Sequence, residues 1–453
     1  MKQGKFAIAL LLIGSAASSI YLLASNTQVK KTTLLKDCCE TKKEETFKTN
    51  LSSEQKHEGC VFKTVFEGDY NVKEFEYATP DNVKTSIDNA LKWVVKEQYQ
   101  DGSWYGGYHA SQNVLNDPNG KGDPATTSMV AMALLRCGHT PFKGEYSSNL
   151  NKATEFLLKA VETSKADAAN ITTITGTQPQ IKLGQNIDVM LTSQYLTNLV
   201  SHYNQDSAMQ KRIKNSISVC IKKIQNVQDN NGSFKGAGWA GVLQSSVANN
   251  ALESAKSIGI KVDSTVLRKS REYQKDNYDA NTGNVSTADG AGVMLYAISS
   301  TSRASAKEAL IAKKALKKAK ADGKLSNDTV MSVENLEKAG FSNSEAVKYN
   351  TAFMVNSSSN KLAQSNAVMT GFGSNGGEEF YSYLQTGEGL IISHDTTWRN
   401  WYTNVSNKLV SIQLKEGNWQ GHHCITSPVF CTATCLLILS VNRDVERLLA
   451  MEN

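Results

Sequence analysis

Three copies of one heptapeptide decide the fold of this chain: Gln98-Tyr-Gln-Asp-Gly-Ser-Trp104, Gln228-Asp-Asn-Asn-Gly-Ser-Phe234 and Gln413-Leu-Lys-Glu-Gly-Asn-Trp419. Gln, Gly and an aromatic residue stand at the same offsets in each copy, and a degenerate copy begins at Gln274. The spacings between the copies are near multiples of about 45 residues, a length that suits a pair of helices. The sequence therefore predicts an internally repeated, all-α architecture of about six or seven helical hairpins.

Two kinds of helix are predicted around the heptapeptides. Residues 83–97 carry apolar side chains at helical spacing and keep one polar face, whereas residues 129–135, 292–298 and 435–439 are nearly uncharged. A helix that is apolar all round must be buried on all sides, so the pattern predicts outer helices around inner helices. Each heptapeptide then joins neighbouring hairpins, because Gly permits a positive φ at a helix end and the Gln amide bonds free backbone groups there.

The heptapeptide resembles the Q-x-x-x-G-x-W repeat of the prenyltransferase and squalene-cyclase superfamily, the terpene cyclase-like proteins. The resemblance covers about residues 82–444, and the segments 371–383 and 421–434 are similar to those of a bacterial branch. It implies an α/α toroid, a barrel of helical hairpins around a central cavity. It also implies that residues just ahead of the inner helices meet at one mouth of this cavity.

Composition and the first residues set the broad class. With 453 residues, 40% hydrophobic content and a net charge of +6, the chain can bury a large core and lacks the basic surface that nucleic acids require. Residues 1–24 combine Lys2 and Lys5 with apolar and small residues, which is typical of a secretory signal peptide or a retained signal anchor. Residues 25–80 are polar without helical periodicity and predict a disordered tether. We therefore expect an extracytoplasmic protein that is secreted, periplasmic or attached to the inner membrane.

One stretch departs from the repeat. Residues 299–356 include a basic helix at 307–320 and one or two short capped helices at 326–341, which predicts a helical insertion in the toroid. The basic face could meet an anionic surface, although a solvated helix face explains it as well.

Two neighbouring units carry the residues that suggest chemistry. Glu378 and Glu379 open one apolar run after a Gly-rich approach, and His422, His423 and Cys424 precede the next. If successive inner helices start at one level, these five side chains should lie together. The sequence predicts Glu378, Glu379 and His423 as catalytic residues. It predicts His422, His423 and Cys424 as metal ligands, with zinc as one possible metal and the cofactor otherwise unknown.

Other interpretations of these residues stay open. Carboxylates at a helix start are also stabilised by the helix dipole. The His-His-Cys run could instead form a Cys/His nucleophilic or acid-base site, or a structural unit held by hydrogen bonds or by a disulfide between Cys424 and Cys431.

Two functions from different classes follow. The first is an enzyme or binding protein for an isoprenoid or another hydrophobic ligand in the central cavity, and the second is a noncatalytic scaffold toroid. The Asp-x-Asp-Asp acid of squalene and hopene cyclases is missing here, and the one Asp-x-Cys, at Asp37-Cys38-Cys39, lies in the tether. An aromatic-lined cavity would favour the first function, and a cavity filled by side chains the second.

Overall fold

A computed structural model describes residues 75, 77–234, 239–279 and 282–450. The predicted signal segment at 1–24 and most of the predicted tether at 25–80 lie outside these residues, so both stay predictions. Within the described part, no helix is both long enough and apolar enough to cross a membrane.

Almost all of the regular secondary structure in the described residues is helical, which confirms the predicted all-α class. The small exception is an antiparallel hairpin of β1 (Tyr278–Asp279) and β2 (Asn284–Val285), in which Tyr278 pairs with Val285. The helices are α1 Asp81–Lys96, α2 Pro124–Arg136, α3 Ser147–Thr163, α4 Gln178–Leu183, α5 Ile187–Leu199, α6 Ser207–Asn226, α7 Gly241–Ser257, α8 Ser264–Asp276, α9 Met294–Ala321, α10 Val333–Lys338, α11 Asn343–Ala363, α12 Asn366–Met369, α13 Gly377–Ile392, α14 Trp398–Ile412, α15 Pro428–Leu439 and α16 Val445–Ala450.

Six helices form the inner layer, which we call the inner helices: α2, α5, α7, the first half of α9, α13 and α15. In α15 every residue from Pro428 to Leu439 is buried, as expected for a run without charge. The inner helices contact one another in a closed cycle: α2 packs against α5, α5 against α7, α7 against α9, α9 against α13, α13 against α15, and α15 against α2. The hydrophobic core therefore lies between this cycle and the helices outside it.

The outer helices are α1, α3, α6, α8, α11 and α14. In α1 the buried residues, among them Val83, Ile87 and Leu91, follow the helical spacing seen in the sequence, and the opposite face is exposed. The first and last outer helices, α1 and α14, contact each other.

The heptapeptides join successive outer helices by a repeated set of hydrogen bonds. The Gln amide donates to the Gly carbonyl of its own turn and to a backbone carbonyl in the first two turns of the next outer helix. Gln98 donates to Gly102 at 2.9 Å and to Asn149 at 2.9 Å. Gln228 donates to Gly232 at 3.1 Å and to Val266 at 2.8 Å. Gln413 donates to Gly417 at 2.7 Å and to Ser86 at 2.9 Å. The indole N–H groups of Trp104 and Trp419 donate back to the preceding outer helix, at 2.8 and 2.9 Å.

Glycine is required in these turns for two reasons. Gly102, Gly232 and Gly417 have φ of +91°, +90° and +98°, a region that L side chains rarely adopt. A Cβ at Gly417 would also lie 2.8 Å from the carbonyl oxygen of Asn89 in α1. The third heptapeptide thus fixes α14 directly against α1, and the cycle of outer helices closes there.

The predicted insertion begins inside a helix. Residue 299 lies in α9, which runs unbroken from the inner layer into the basic stretch, and Ser299 to Ala306 are buried. Hydroxyl groups satisfy themselves within the helix, as when Ser305 Oγ donates to the Thr301 carbonyl at 2.7 Å. Beyond α9, Ser332 caps α10 and a capping box of Ser342 and Glu345 starts α11. The limits of the predicted domains stay predictions.

Polar side chains bridge the axis between the inner helices. Arg136 of α2 pairs with Glu388 of α13 at 2.7 Å, and Ser246 of α7 donates to Gln385 of α13. Neither pair joins neighbours in the cycle, so both reach across the interior of the inner layer. One cavity among the described inner helices measures about 20 Å³, which holds roughly one water molecule.

Candidate metal centre

Two loops at the start of inner helices approach each other closely. The segment ahead of α13 pairs with the segment ahead of α15 through Gly377 N–H to the Ile425 carbonyl (2.9 Å) and His422 N–H to the Asn375 carbonyl (2.7 Å). A Cβ at Gly376 would lie 2.3 Å from the His423 carbonyl oxygen, so only Gly allows this approach. The Gly-rich stretch therefore brings the two loops together.

These loops assemble three of the five predicted residues, which we call the metal cluster: Glu378, His423 and Cys424. One potential ligand atom from each lies within 4.8 Å of the other two. His423 Nδ1 and Cys424 Sγ stand 3.1 Å apart. Glu378 is buried, Cys424 is half-buried and His423 is exposed, so the cluster opens to solvent on the imidazole side.

The backbone at Cys424 is held in an unusual conformation. Its φ is +65°, a left-handed value that is uncommon for residues other than Gly. The surrounding loop fixes it, because Gln112 donates its side-chain N–H to the Cys424 carbonyl at 3.0 Å and Thr426 donates to the Gln112 carbonyl at 2.7 Å. This conformation turns the thiol toward Glu378 and His423 rather than into the core.

Glu378 is held from two sides in its buried position. The Ile425 N–H donates to Glu378 Oε2 at 3.1 Å and the Tyr296 hydroxyl donates to Oε1 at 3.3 Å. Burial raises the pKa of Glu378, and these hydrogen bonds oppose the rise. Burial and the Glu378 charge together raise the pKa of the Cys424 thiol, while Lys182 opposes that shift. A bound cation would reverse both effects, since it favours carboxylate and thiolate.

The donor set fits a zinc ion. In a tetrahedral zinc site with bonds of about 2.0 to 2.3 Å, ligand atoms stand roughly 3.4 to 3.8 Å apart. His423 Nδ1 and Cys424 Sγ, 3.1 Å apart, stand close to that spacing, and the Glu378 carboxylate lies within 4.8 Å of both. Three protein ligands leave the fourth position open, as in catalytic rather than structural zinc sites.

Glu379 and His422 lie outside the metal cluster. The two Glu379 carboxylate oxygens accept from the N–H groups of Gly373 and Asn375, each at 2.7 Å, and burial raises its pKa to about 7. Glu379 thus anchors the Gly-rich loop, while the side chain of His422 is exposed. The predicted catalytic role of Glu379 and ligand role of His422 stay predictions.

Sequence reasoning did not find the remaining residues of the site. Lys182 follows α4's first turn, and its Nζ stands 4.4 Å over the Trp239 ring, which in turn lies 6.1 Å from the Tyr296 ring. Trp239 is 41% exposed and Ile181, which accepts its N–H, is 37% exposed. Lys182 and Ile181 lie in α4, and Trp239 precedes α7, so these residues are far from the cluster in the chain and no local pattern linked them to it.

The proposed disulfide does not form. Cys424 and Cys431 are both free, and Cys431 is fully buried on α15 with its Sγ 3.4 Å from the Ile425 carbonyl oxygen.

Comparison with known proteins adds little. No family model matches the chain, and no curated protein matches it either. Among solved structures, the chain is similar to the apo form of the type II terpene cyclase MstE from Scytonema, with 11% sequence identity and a TM-score of 0.38 over 81% of this chain and 100% of that one. At this TM-score and identity, the similarity supports no conclusion about the family or the activity of this chain.

Proposed function

We propose that the chain is a zinc-dependent α/α toroid enzyme whose reaction takes place at the mouth formed by the starts of α13 and α15. The observation that carries the proposal is the convergence of Glu378, His423 and Cys424 on one point, with a fourth coordination position open to solvent. When bound there, zinc would polarise a substrate group or activate a thiol or water.

The protein's own residues would hold the reacting groups in place. Tyr296 donates to the Glu378 carboxylate and keeps it oriented, and burial together with the Glu378 charge raises the pKa of Tyr296, so it stays a donor. Lys182 places a positive charge beside Cys424. It would orient a substrate that carries negative charge near the thiol.

A hydrophobic ligand would bind at this mouth rather than on the axis. The axis is bridged by ion pairs and hydrogen bonds, and the 20 Å³ cavity there is too small for an isoprenoid. Exposed apolar groups instead lie on the rim: Trp239, Ile181 and Met294, the last at the start of the helix that carries Tyr296. We infer that the apolar part of a substrate rests on Trp239.

The second candidate is the noncatalytic scaffold toroid. The ion pairs and hydrogen bonds between the inner helices favour it, because polar side chains there occupy space that an enzyme of this fold would leave for its ligand. The amount of bound zinc per chain distinguishes the scaffold from the enzyme, because a noncatalytic scaffold does not require a zinc site with an open coordination position.

Metal analysis of the purified full-length chain tests the proposal. We expect about one zinc per chain, lost in Cys424→Ser and in His423→Ala. His422→Ala is the matched control, because it removes an equally exposed imidazole one residue away and should keep the metal. Zinc that is absent from the parent protein, or that is retained by both cluster variants, would exclude the metal enzyme and leave the scaffold.

We also propose that the toroid acts outside the cytoplasm, on the basis of the charged and apolar pattern of residues 1–24. A reporter enzyme that is active only outside the cytoplasm, fused after Asn453, should be active. An inactive but well-expressed fusion would contradict this location.

A further inference from the structure

A third loop reaches the mouth where the metal cluster lies. It runs from the first heptapeptide to α2, and His109–Ser111 form a short 3₁₀ turn within it. Gln178 of α4 ties this loop to the loop of Cys424, because its N–H donates to the Gly107 carbonyl at 2.9 Å and its side-chain oxygen accepts from the Ser427 N–H at 2.8 Å. The structure therefore holds the 3₁₀ turn beside the metal cluster.

Gln112 fixes which nitrogen of the His109 ring carries the proton. The side-chain nitrogen of Gln112 lies 3.0 Å from the Cys424 carbonyl oxygen and 2.8 Å from His109 Nδ1. A carbonyl oxygen only accepts hydrogen bonds, so the Gln112 atom facing it is the amide nitrogen, which only donates. His109 Nδ1 must then accept as well, and the ring proton lies on Nε2.

The Nε2–H of His109 is an unused donor at this mouth. Among the described residues none accepts a hydrogen bond from it, and the atom reaches solvent on the half-buried ring. Burial lowers the pKa of His109, and the positive charge of Lys182 lowers it further, so the ring stays neutral at neutral pH.

Lys182 brings a positive charge to the same place. It lowers the pKa of His109 and also that of the Cys424 thiol, so it lies close to both groups. An imidazole N–H and an ammonium group therefore stand together beside the thiol of the metal cluster. Hydrogen-bond donors and cations placed in this way stabilise negative charge on a substrate oxygen.

We propose that His109 is a substrate-binding residue of this mouth, which donates its Nε2–H to a carboxylate or a similar anionic oxygen at the open zinc position, beside Lys182. Gln112 acts through His109 as a positioning residue, because it holds the ring in the tautomer that can donate. The inference rests on the proposed zinc enzyme and adds the chemical class of its substrate.

Acetate titration of the full-length protein, loaded with cobalt in place of zinc, tests this role. The visible spectrum of cobalt responds when a ligand enters its open position, so it reports acetate binding directly. We expect saturable binding, weakened about 5-fold in His109→Ala with the cobalt content unchanged. His109→Gln should regain part of the affinity, because its amide nitrogen can stand near the place of the imidazole Nε2. His202→Ala is the control, since it removes a half-buried imidazole past the end of α5 and should bind acetate normally.

Nitrogen-15 NMR of the metal-free protein tests the tautomer separately. The His109 signals, identified by their loss in His109→Ala, should show the proton on Nε2 at neutral pH. Gln112→Ala should give a mixture of the two tautomers. A proton on Nδ1 in the parent protein, or a ring that carries both protons, would overturn the proposed donor.

The outcomes separate this role from the zinc enzyme itself. A parent protein that takes up no cobalt contradicts the metal enzyme, and the role of His109 with it. A protein that takes up cobalt and binds acetate equally in His109→Ala and His202→Ala contradicts the role of His109 alone. Loss of cobalt in His109→Ala would make the imidazole a metal ligand instead. If His109→Ala lowers the unfolding temperature, His109→Gln decides, since equal loss of affinity without recovery contradicts a donor at Nε2.

Discussion

Replacing Gln413 by Ala should weaken the junction between the last and first outer helices. The side chain makes three hydrogen bonds there: to the Ser86 carbonyl (2.9 Å), to the Gly417 carbonyl (2.7 Å) and from the Ser86 hydroxyl (2.8 Å). At a net value of about 1 kcal/mol each, their loss should lower the free energy of unfolding by about 3 kcal/mol. The variant also leaves the buried Ser86 hydroxyl without a partner, so the loss in the free energy of unfolding should not be smaller than about 3 kcal/mol.

Urea unfolding followed by far-ultraviolet circular dichroism measures this change. Lys415→Ala is the control, since it alters an exposed side chain in the same turn and should change stability by less than about 0.5 kcal/mol. Gln98→Ala removes the equivalent three bonds, one within its own turn and two to Asn149 of α3, and should cost as much as Gln413→Ala. If Gln413→Ala were no more destabilising than Lys415→Ala, the heptapeptide would not hold the outer helices together.

Three further predictions concern the loops of the site. Burial raises the pKa of Glu379 to about 7 from the ordinary 4.5, so its contribution to stability is complete below pH 4.5 and is lost as the pH rises to 7. Between pH 4.5 and 7.5 this group should lower the free energy of unfolding by about 3 kcal/mol. Urea titrations at the two pH values should therefore show a fall about 3 kcal/mol smaller in Glu379→Gln than in the parent protein. Gly376→Ala should lower zinc affinity at least about 10-fold in a competition titration, because the added Cβ pushes the two loops apart. Gly371→Ala is the control, because a Cβ there meets nothing closer than 3.6 Å, and it should bind zinc normally. Tyr296→Phe, which frees the carboxylate of the metal cluster, should lower zinc affinity about 10-fold with little change in unfolding temperature, and an unchanged affinity would show that this hydrogen bond does not orient the ligand.

Most of the helical architecture could be predicted from the sequence, because the spacing of apolar residues shows which face of a helix is buried. The stripe in α1 and the uncharged run in α15 both have the burial that their patterns predict. The first half of α9 was harder to recognise, since Ser, Thr and Arg303 fill an inner position there. Small hydroxyl residues bond to their own helix, and Arg303 is compensated by Glu253 at 3.2 Å, so neither needs to be apolar.

The candidate site was predicted only in part. Glu378, His423 and Cys424 could be linked from the sequence because they stand ahead of successive inner helices. Lys182 and Trp239 could not, since α4 and the segment ahead of α7 lack any motif and are brought together only by tertiary packing. The polar bridges between inner helices were equally hard to predict, because they depend on which side chains of non-neighbouring helices meet.

Closure of the outer helices sets a limit on when the protein can fold. Ser86 and Gln413 are 327 residues apart in the chain, and ribosomes add about 5 to 20 residues per second, so roughly 16 to 65 s of synthesis separate the two partners. During that time the apolar face of α1 has neither α14 nor α15 to cover it. Contacts this distant in sequence also slow folding itself. The first of the described helices to be made is thus among the last to be buried, and the newly made chain is most exposed to aggregation and proteolysis at that face.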